Sequence, residues 1–286
     1  MFLKRKTTGS VVCPSCGSLV GVQDDKCYSC GRSNPGLWGF GPLLRQIGAD
    51  FGFTQIVMGT CITIYLITLL LSGSAIGMGG LMSMLAPSTP VLFLFGASGA
   101  VPVFIYGRWW TVLSAGWLHA SALHIALNMY WLYQMGPAIA DIFGPSRIVI
   151  IYTAGGVAGF ALSSFAGAYL PPIPFLHGAP FTVGASASLL GLIGALYHYG
   201  RTGSSIAKQA ALSIVLQVAV FGLLMGGAGI DNFAHLGGFI GGYFMSAFLN
   251  PMARERGDHT IAAVLCLAAS AASIVASIVL GLGYFH

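Results

Sequence analysis

The chain has 286 residues, 56% of them hydrophobic and 7% charged, with a formal net charge of +5 and a mean hydropathy of +0.83. A soluble domain carries about 25% charged residues, so this composition excludes an ordinary water-soluble protein. It points instead to a chain that crosses a lipid bilayer several times, and no nucleic-acid partner is expected.

The N-terminus, "MFLKRKTTGS", is basic but is followed by cysteines and polar residues, which argues against a cleaved signal peptide. Cys13 and Cys16 stand in "CPSCG", and Cys27 and Cys30 in "CYSCG", with ten residues between the pairs. Two such knuckles can set four thiolates tetrahedrally around one Zn²⁺, and the glycine after each permits the tight turn. Four cysteines leave no open coordination position, so the expected Zn²⁺ is structural, and none is expected in catalysis. Residues 1–35 therefore read as a small zinc ribbon, whose partner the sequence does not name. The next stretch, 36–52, sets Trp38, Phe40 and Leu43 beside Arg45, as an interfacial linker would.

No Asp, Glu, Lys or Arg occurs between Phe51 and Tyr106. A helix needs about 20 apolar residues to span a bilayer, and seven windows qualify: 54–73, 117–136, 148–170, 184–200, 209–228, 231–249 and 260–283. Residues 90–107 are apolar enough for an eighth. Basic residues accumulate on the cytoplasmic side, and seven spans with the N-terminus inside divide them 11 to 1, against 7 to 5 with the eighth span. Seven spans are therefore predicted, with 74–116 as a long outer loop pressed into the membrane. The fold class is an all-α polytopic membrane protein.

Ionisable and amide side chains are costly inside a bilayer and point to function. The second span carries His119, His124 and Asn128, with the last two sharing a helix face. Ser186 opens the fourth span in "GASA", and His235 lies about one turn into the sixth, "DNFAHLGGFIGG". All three spans run inward, so Ser186, His235, His124 and Asn128 fall at similar depth: a nucleophile, a base and oxyanion donors. Gly237, Gly238, Gly241 and Gly242 allow the close helix approach that a Ser–His contact requires. Asp231 reads as the N-cap of the sixth span rather than a third catalytic member. Ser98, in "FGASGA", has the tidier Gly-x-Ser-Gly spelling, but it lies in the loop and begins no span. Cys61 and Cys266 fall mid-span and read as packing residues.

The motifs "RWWTVLSAGWLHASALHIALNMYWLYQMG", "GASA" and "DNFAHLGGFIGG", on spans two, four and six, resemble those of rhomboid intramembrane serine proteases. The resemblance covers roughly 54–250. It implies a six-helix core over 53–250 and a seventh transmembrane helix in 251–286. It further implies a dyad in which Ser186 attacks and His235 is the base, with His124, Asn128 and the Ser186 backbone N–H holding the oxyanion. His119 matches a histidine that is structural in the family. The implied substrates are transmembrane helices of other proteins, cut near the outer face, with span five as a lateral gate. Two positions depart from the family's pattern: Ala187 where glycine is usual, and Leu190 where an aromatic often stacks on the histidine. They keep open a catalytically silent rhomboid-like protein that binds membrane helices. With no presequence, the expected location is a prokaryotic plasma membrane, N-terminus in the cytoplasm and active site opening outward.

Overall fold

The computed structural model describes residues 5–80, 83–171, 178–224, 230–251 and 253–283. It opens with an antiparallel hairpin, β1 (Ser10–Val12) and β2 (Leu19–Gly21), paired Ser10 to Gly21 through Val12 to Leu19. A short helix, α1 (Gly41–Ile47), leads to the long apolar α2 (Phe53–Ser72).

The long loop 74–116 contains two short helices, α3 (Thr89–Phe95) and α4 (Thr111–Ser114). The apolar run 90–107 is thus not one helix. It is broken at Gly96, whose φ of +103° closes α3, and continues as a single wide turn over Val101–Ile105. Then come α5 (Ala122–Phe143), α6 (Pro145–Tyr169), α7 (Ser186–Thr202), α8 (Ser205–Leu224), α9 (Asn232–Leu249) and α10 (Gly257–Leu282). Among the described residues, three helices, at Phe53–Ala75, Pro145–Tyr169 and Gly257–Leu282, are long and apolar enough to cross a membrane by length and composition alone.

The second predicted span needs correction. Trp117 ends a separate 3-10 turn, Ala115–Trp117, and residues 118–121 are not helical: α5 starts at Ala122, after Ser121 caps it by accepting from His124 N. His119 therefore sits in the turn ahead of the helix. The fourth span likewise begins at Ser186 rather than 184, because Gly184 has a φ of +128° that no helix accommodates. The last residues of the predicted span 209–228 lie outside the described residues, and the lateral gate assigned to it cannot be placed there.

Helices α6, α7 and α9 form the centre, and glycine sets their spacing. A Cβ at Gly241 would lie 2.5 Å from the Ala158 Cβ on α6, and one at Gly242 would strike the Gly191 carbonyl on α7. The two overlapping Gly-x-x-x-Gly pairs thus face different partners, Gly237 and Gly241 toward α6, Gly238 and Gly242 toward α7. Such close backbone approach replaces the hydrophobic drive that lipid removes.

The hairpin unit docks against the N-terminal ends of α6 and α10. Arg32, 6% exposed, donates to Ser15 Oγ (2.8 Å) and Thr260 Oγ1 (3.0 Å), and faces Glu255 at 3.8 Å. Glu255 in turn accepts from the backbone N–H groups of Ser146 (2.7 Å) and Arg147 (3.1 Å), so one carboxylate caps α6 and holds the ribbon's arginine. At the other end of α10, Arg108 of the long loop donates to Ser277 O at 2.8 Å.

Candidate active site

Ser186 is the first residue of α7. Its helix begins with Leu189 N donating to Ala185 O, so the Ser186 N–H belongs to the first turn, where no intrahelical acceptor exists. One α9 turn carries His235 across the glycine contact, and its Nε2 lies 2.9 Å from Ser186 Oγ. Both residues are half-buried, reachable but shielded. The spacing is that of a serine ready to give up its proton.

Asp231 is engaged elsewhere. Its Oδ1 accepts from Ala234 N (2.9 Å) as the α9 cap, and its Oδ2 accepts from Ser163 Oγ (2.5 Å) on α6. His235 Nδ1 is buried with no hydrogen-bond partner among the described residues. The pair therefore stands without an acidic third member.

His124 lies against the turn that precedes the serine. A Cβ on Gly184 would come within 2.5 Å of His124 Cε1 and 2.6 Å of Nε2, so the missing side chain is what admits the ring. Gly184 N donates to Ala115 O at 2.9 Å, fixing that turn from the loop side. Asn128 is buried on the same helix, and the bond it makes is from Nδ2 to the His124 carbonyl, 2.9 Å, one turn back. The structure thus brings Ser186, His235 and His124 together and binds Asn128 to His124, not to the serine. His119 is fully buried, its ring 5.3 Å from that of His124, with neither nitrogen hydrogen-bonded among the described residues.

The two departures resolve differently. The Ala187 methyl packs with Ala115, Phe160 and Ala234, on the α6 side of α7. Leu190 is buried in the main core and leaves His235 without a stacked ring from that position. Three elements escaped sequence reasoning: the Gly184 turn, the Arg32–Glu255 dock and a backbone pairing of Ser98 with Thr182. Each joins segments distant in the chain, and only the "GAS" glycine carried any local signal.

The ribbon forms a second candidate site. Its four sulfurs lie within 4.8 Å of one another, with Cys13–Cys30 at 3.8 Å and Cys16–Cys27 at 3.6 Å. Four thiolates at the usual Zn–S length of about 2.3 Å, set tetrahedrally, lie about 3.8 Å apart, so the donor set fits. Each knuckle closes on a left-handed glycine, Gly17 (φ +75°) and Gly31 (φ +73°), whose N–H groups return to Cys13 O and Cys27 O. Burial pushes the Cys13 thiol up from its ordinary value.

Comparison with known proteins adds the lineage. The Rhomboid domain profile matches residues 106–252. Rhomboid protease GluP of Bacillus subtilis is 31% identical over 184 residues, 63% of this chain and 34% of that protein. RHOMBOID-like protein 7 of Arabidopsis thaliana is 31% identical over 169 residues, 58% of this chain and 51% of that one. RHOMBOID-like protein 6, mitochondrial, from the same plant, is 34% identical over 171 residues, covering 58% and 52%. The chain spans between a third and about half the length of these relatives. With the profile covering just over half of the chain and including Ser186, His235, His124 and Asn128, the protein belongs to the rhomboid family, as an integral membrane protein with an added four-cysteine segment.

Proposed function

We propose that the protein is an intramembrane serine endopeptidase that cleaves transmembrane helices near the outer face of its membrane. The observation that carries the proposal is the 2.9 Å contact between Ser186 Oγ and His235 Nε2, across two helices held by glycine. His235 Nε2 takes the Ser186 proton as Oγ bonds to the scissile carbonyl carbon. The oxyanion forms beside the Ser186 N–H and His124, with Asn128 holding His124 in place through its carbonyl. Collapse breaks the C–N bond, and the leaving amine takes the proton from His235. Water then attacks the acyl-enzyme, giving a proton to His235 and its hydroxyl to the carbonyl carbon; the acyl C–Oγ bond breaks as His235 returns that proton to Ser186 Oγ. A substrate helix must unwind first, because its carbonyls are otherwise hydrogen-bonded.

The domain limits 1–35, 36–52, 53–250 and 251–286 are part of the same proposal, as is the cytoplasmic N-terminus in a prokaryotic plasma membrane. The Cys13, Cys16, Cys27 and Cys30 site is assigned a structural Zn²⁺. Its fit rests on the sulfur spacing.

A fluorophosphonate label on purified protein tests the dyad. Wild type and Ser98→Ala take the label, while Ser186→Ala and His235→Ala do not. Labelling that survives Ser186→Ala and vanishes in Ser98→Ala overturns the assignment. A wild type that takes no label favours the silent helix-binding reading, for which Leu190 is the supporting departure.

A further inference from the structure

The segment "FGASGA" contains the serine that meets no histidine. Ser98 is fully buried, and its backbone pairs with the strand that leads to Ser186. Ser98 N donates to Thr182 O (3.1 Å), and Thr182 N donates to Ser98 O (2.8 Å). Two further bonds extend the match: Ala100 N to Ala179 O (2.9 Å) and Val101 N to Pro180 O (3.1 Å). Gly99 packs directly against the segment it pairs with. Its φ is +121°, and a Cβ there would lie 2.5 Å from Pro180 O and 2.9 Å from Ala179 O.

The consequence falls on Ser186, four residues beyond Thr182. A residue in the first turn of a helix is aimed by the chain that enters it. Ala185, the α7 cap, has no side-chain bond to hold that entry. What holds it is the outer loop, at Ser98, Ala100, Val101 and Ala115.

We propose that the Ser98–Gly99 backbone is a positioning device, whose pairing with Thr182 and Pro180 sets the height of Ser186 Oγ against His235. The long loop then acts in the reaction by aiming the nucleophile, and the Gly-x-Ser-Gly spelling serves close backbone approach and not nucleophilicity. The inference rests on the assignment of Ser186 above. Misplacing a reacting group by about 1 Å costs on the order of 100-fold in rate, so a methyl inserted at Gly99 suffices to test it.

Full-length wild type, Gly99→Ala and Gly107→Ala are compared by fluorophosphonate kinetics that separate the maximal labelling rate from the half-saturating probe concentration. Gly107 has a φ of +65° and nothing within 4 Å of a built Cβ, so its variant carries a milder left-handed strain and no collision. Gly99→Ala is expected to lower the maximal rate by about tenfold or more, with half-saturation and melting temperature near wild type, and Gly107→Ala to label as wild type does. A wild-type maximal rate in Gly99→Ala overturns the proposal. So does a loss matched in Gly107→Ala, or one that comes with a fall in melting temperature, since either is general damage. Hydrogen exchange on the wild type gives a reading free of any variant: slow exchange at Ser98 and Thr182 is expected, and fast exchange at both overturns the pairing. Failure of the Ser186 assignment is seen separately, as absent labelling of wild type or persistent labelling of Ser186→Ala.

Discussion

Gly184 holds a left-handed conformation and leaves the space that the His124 ring fills. Gly184→Ala meets both obstacles at once: a φ of +128° and a ring atom 2.5 Å from the new carbon. Its labelling rate is expected to fall with that of His124→Ala, each by roughly 100-fold, the cost of one lost oxyanion donor. Asp231 separates two roles in the same way. As a cap it tolerates Asn, so Asp231→Asn is expected to keep its labelling rate, while Asp231→Ala lowers stability by about 1 kcal/mol, read by thermal melting in detergent. A collapse of activity in Asp231→Asn would make it a triad member instead. Residue type alone does not decide such questions. His198 Nδ1 and Ser246 Oγ lie 3.0 Å apart on the C-terminal halves of the same two helices, α7 and α9. Ser246 is fully buried, inside a helix rather than at its first turn, and its hydroxyl also reaches Ala195 O at 3.4 Å. It offers no approach to a substrate and no free N–H groups.

At the scale of elements, α9 is a strip with two glycine faces, each buried against its own neighbour. Gly242→Leu places a side chain where the Gly191 carbonyl of α7 already lies, and parts the helices that bring Ser186 to His235. Fluorophosphonate labelling is expected to be lost together with several degrees of melting temperature. Gly59→Ala on α2, where a Cβ would meet nothing within 4 Å, is expected to stabilise by about 0.5–1 kcal/mol through helix propensity alone. The Gly-x-x-x-Gly spacing was legible in the sequence, because helix periodicity puts such residues on one face. That its two registers serve α6 and α7 separately was not, since periodicity does not name a partner.

Across the whole molecule, the ribbon and the membrane helices meet at a buried charge. Arg32→Ala leaves Glu255 facing the α6 terminus without its cation, and is expected to cost about 3 kcal/mol, read as earlier melting and faster proteolysis near the linker. Elemental analysis is expected to find about one Zn²⁺ per chain, and Cys13→Ser, or chelation, is expected to release it and to loosen the same dock. Ser15, Ser29 and Arg32 belong to the knuckles or adjoin them, and all three bond to that dock or its flanks, so metal binding and docking draw on one set of residues.

The sequence by itself determined the membrane class, the four-cysteine ribbon and the serine–histidine candidates. Each is written in local composition, spacing or helical period, which act between residues close in the chain. Tertiary structure alone decided that His119 stands outside its helix, that Gly184 N bonds to Ala115 O, and that the Ser98 backbone pairs with Thr182. These depend on backbone groups far apart in the chain finding one another. In a bilayer every such group needs a partner inside the protein, and only the packed fold determines which one it receives.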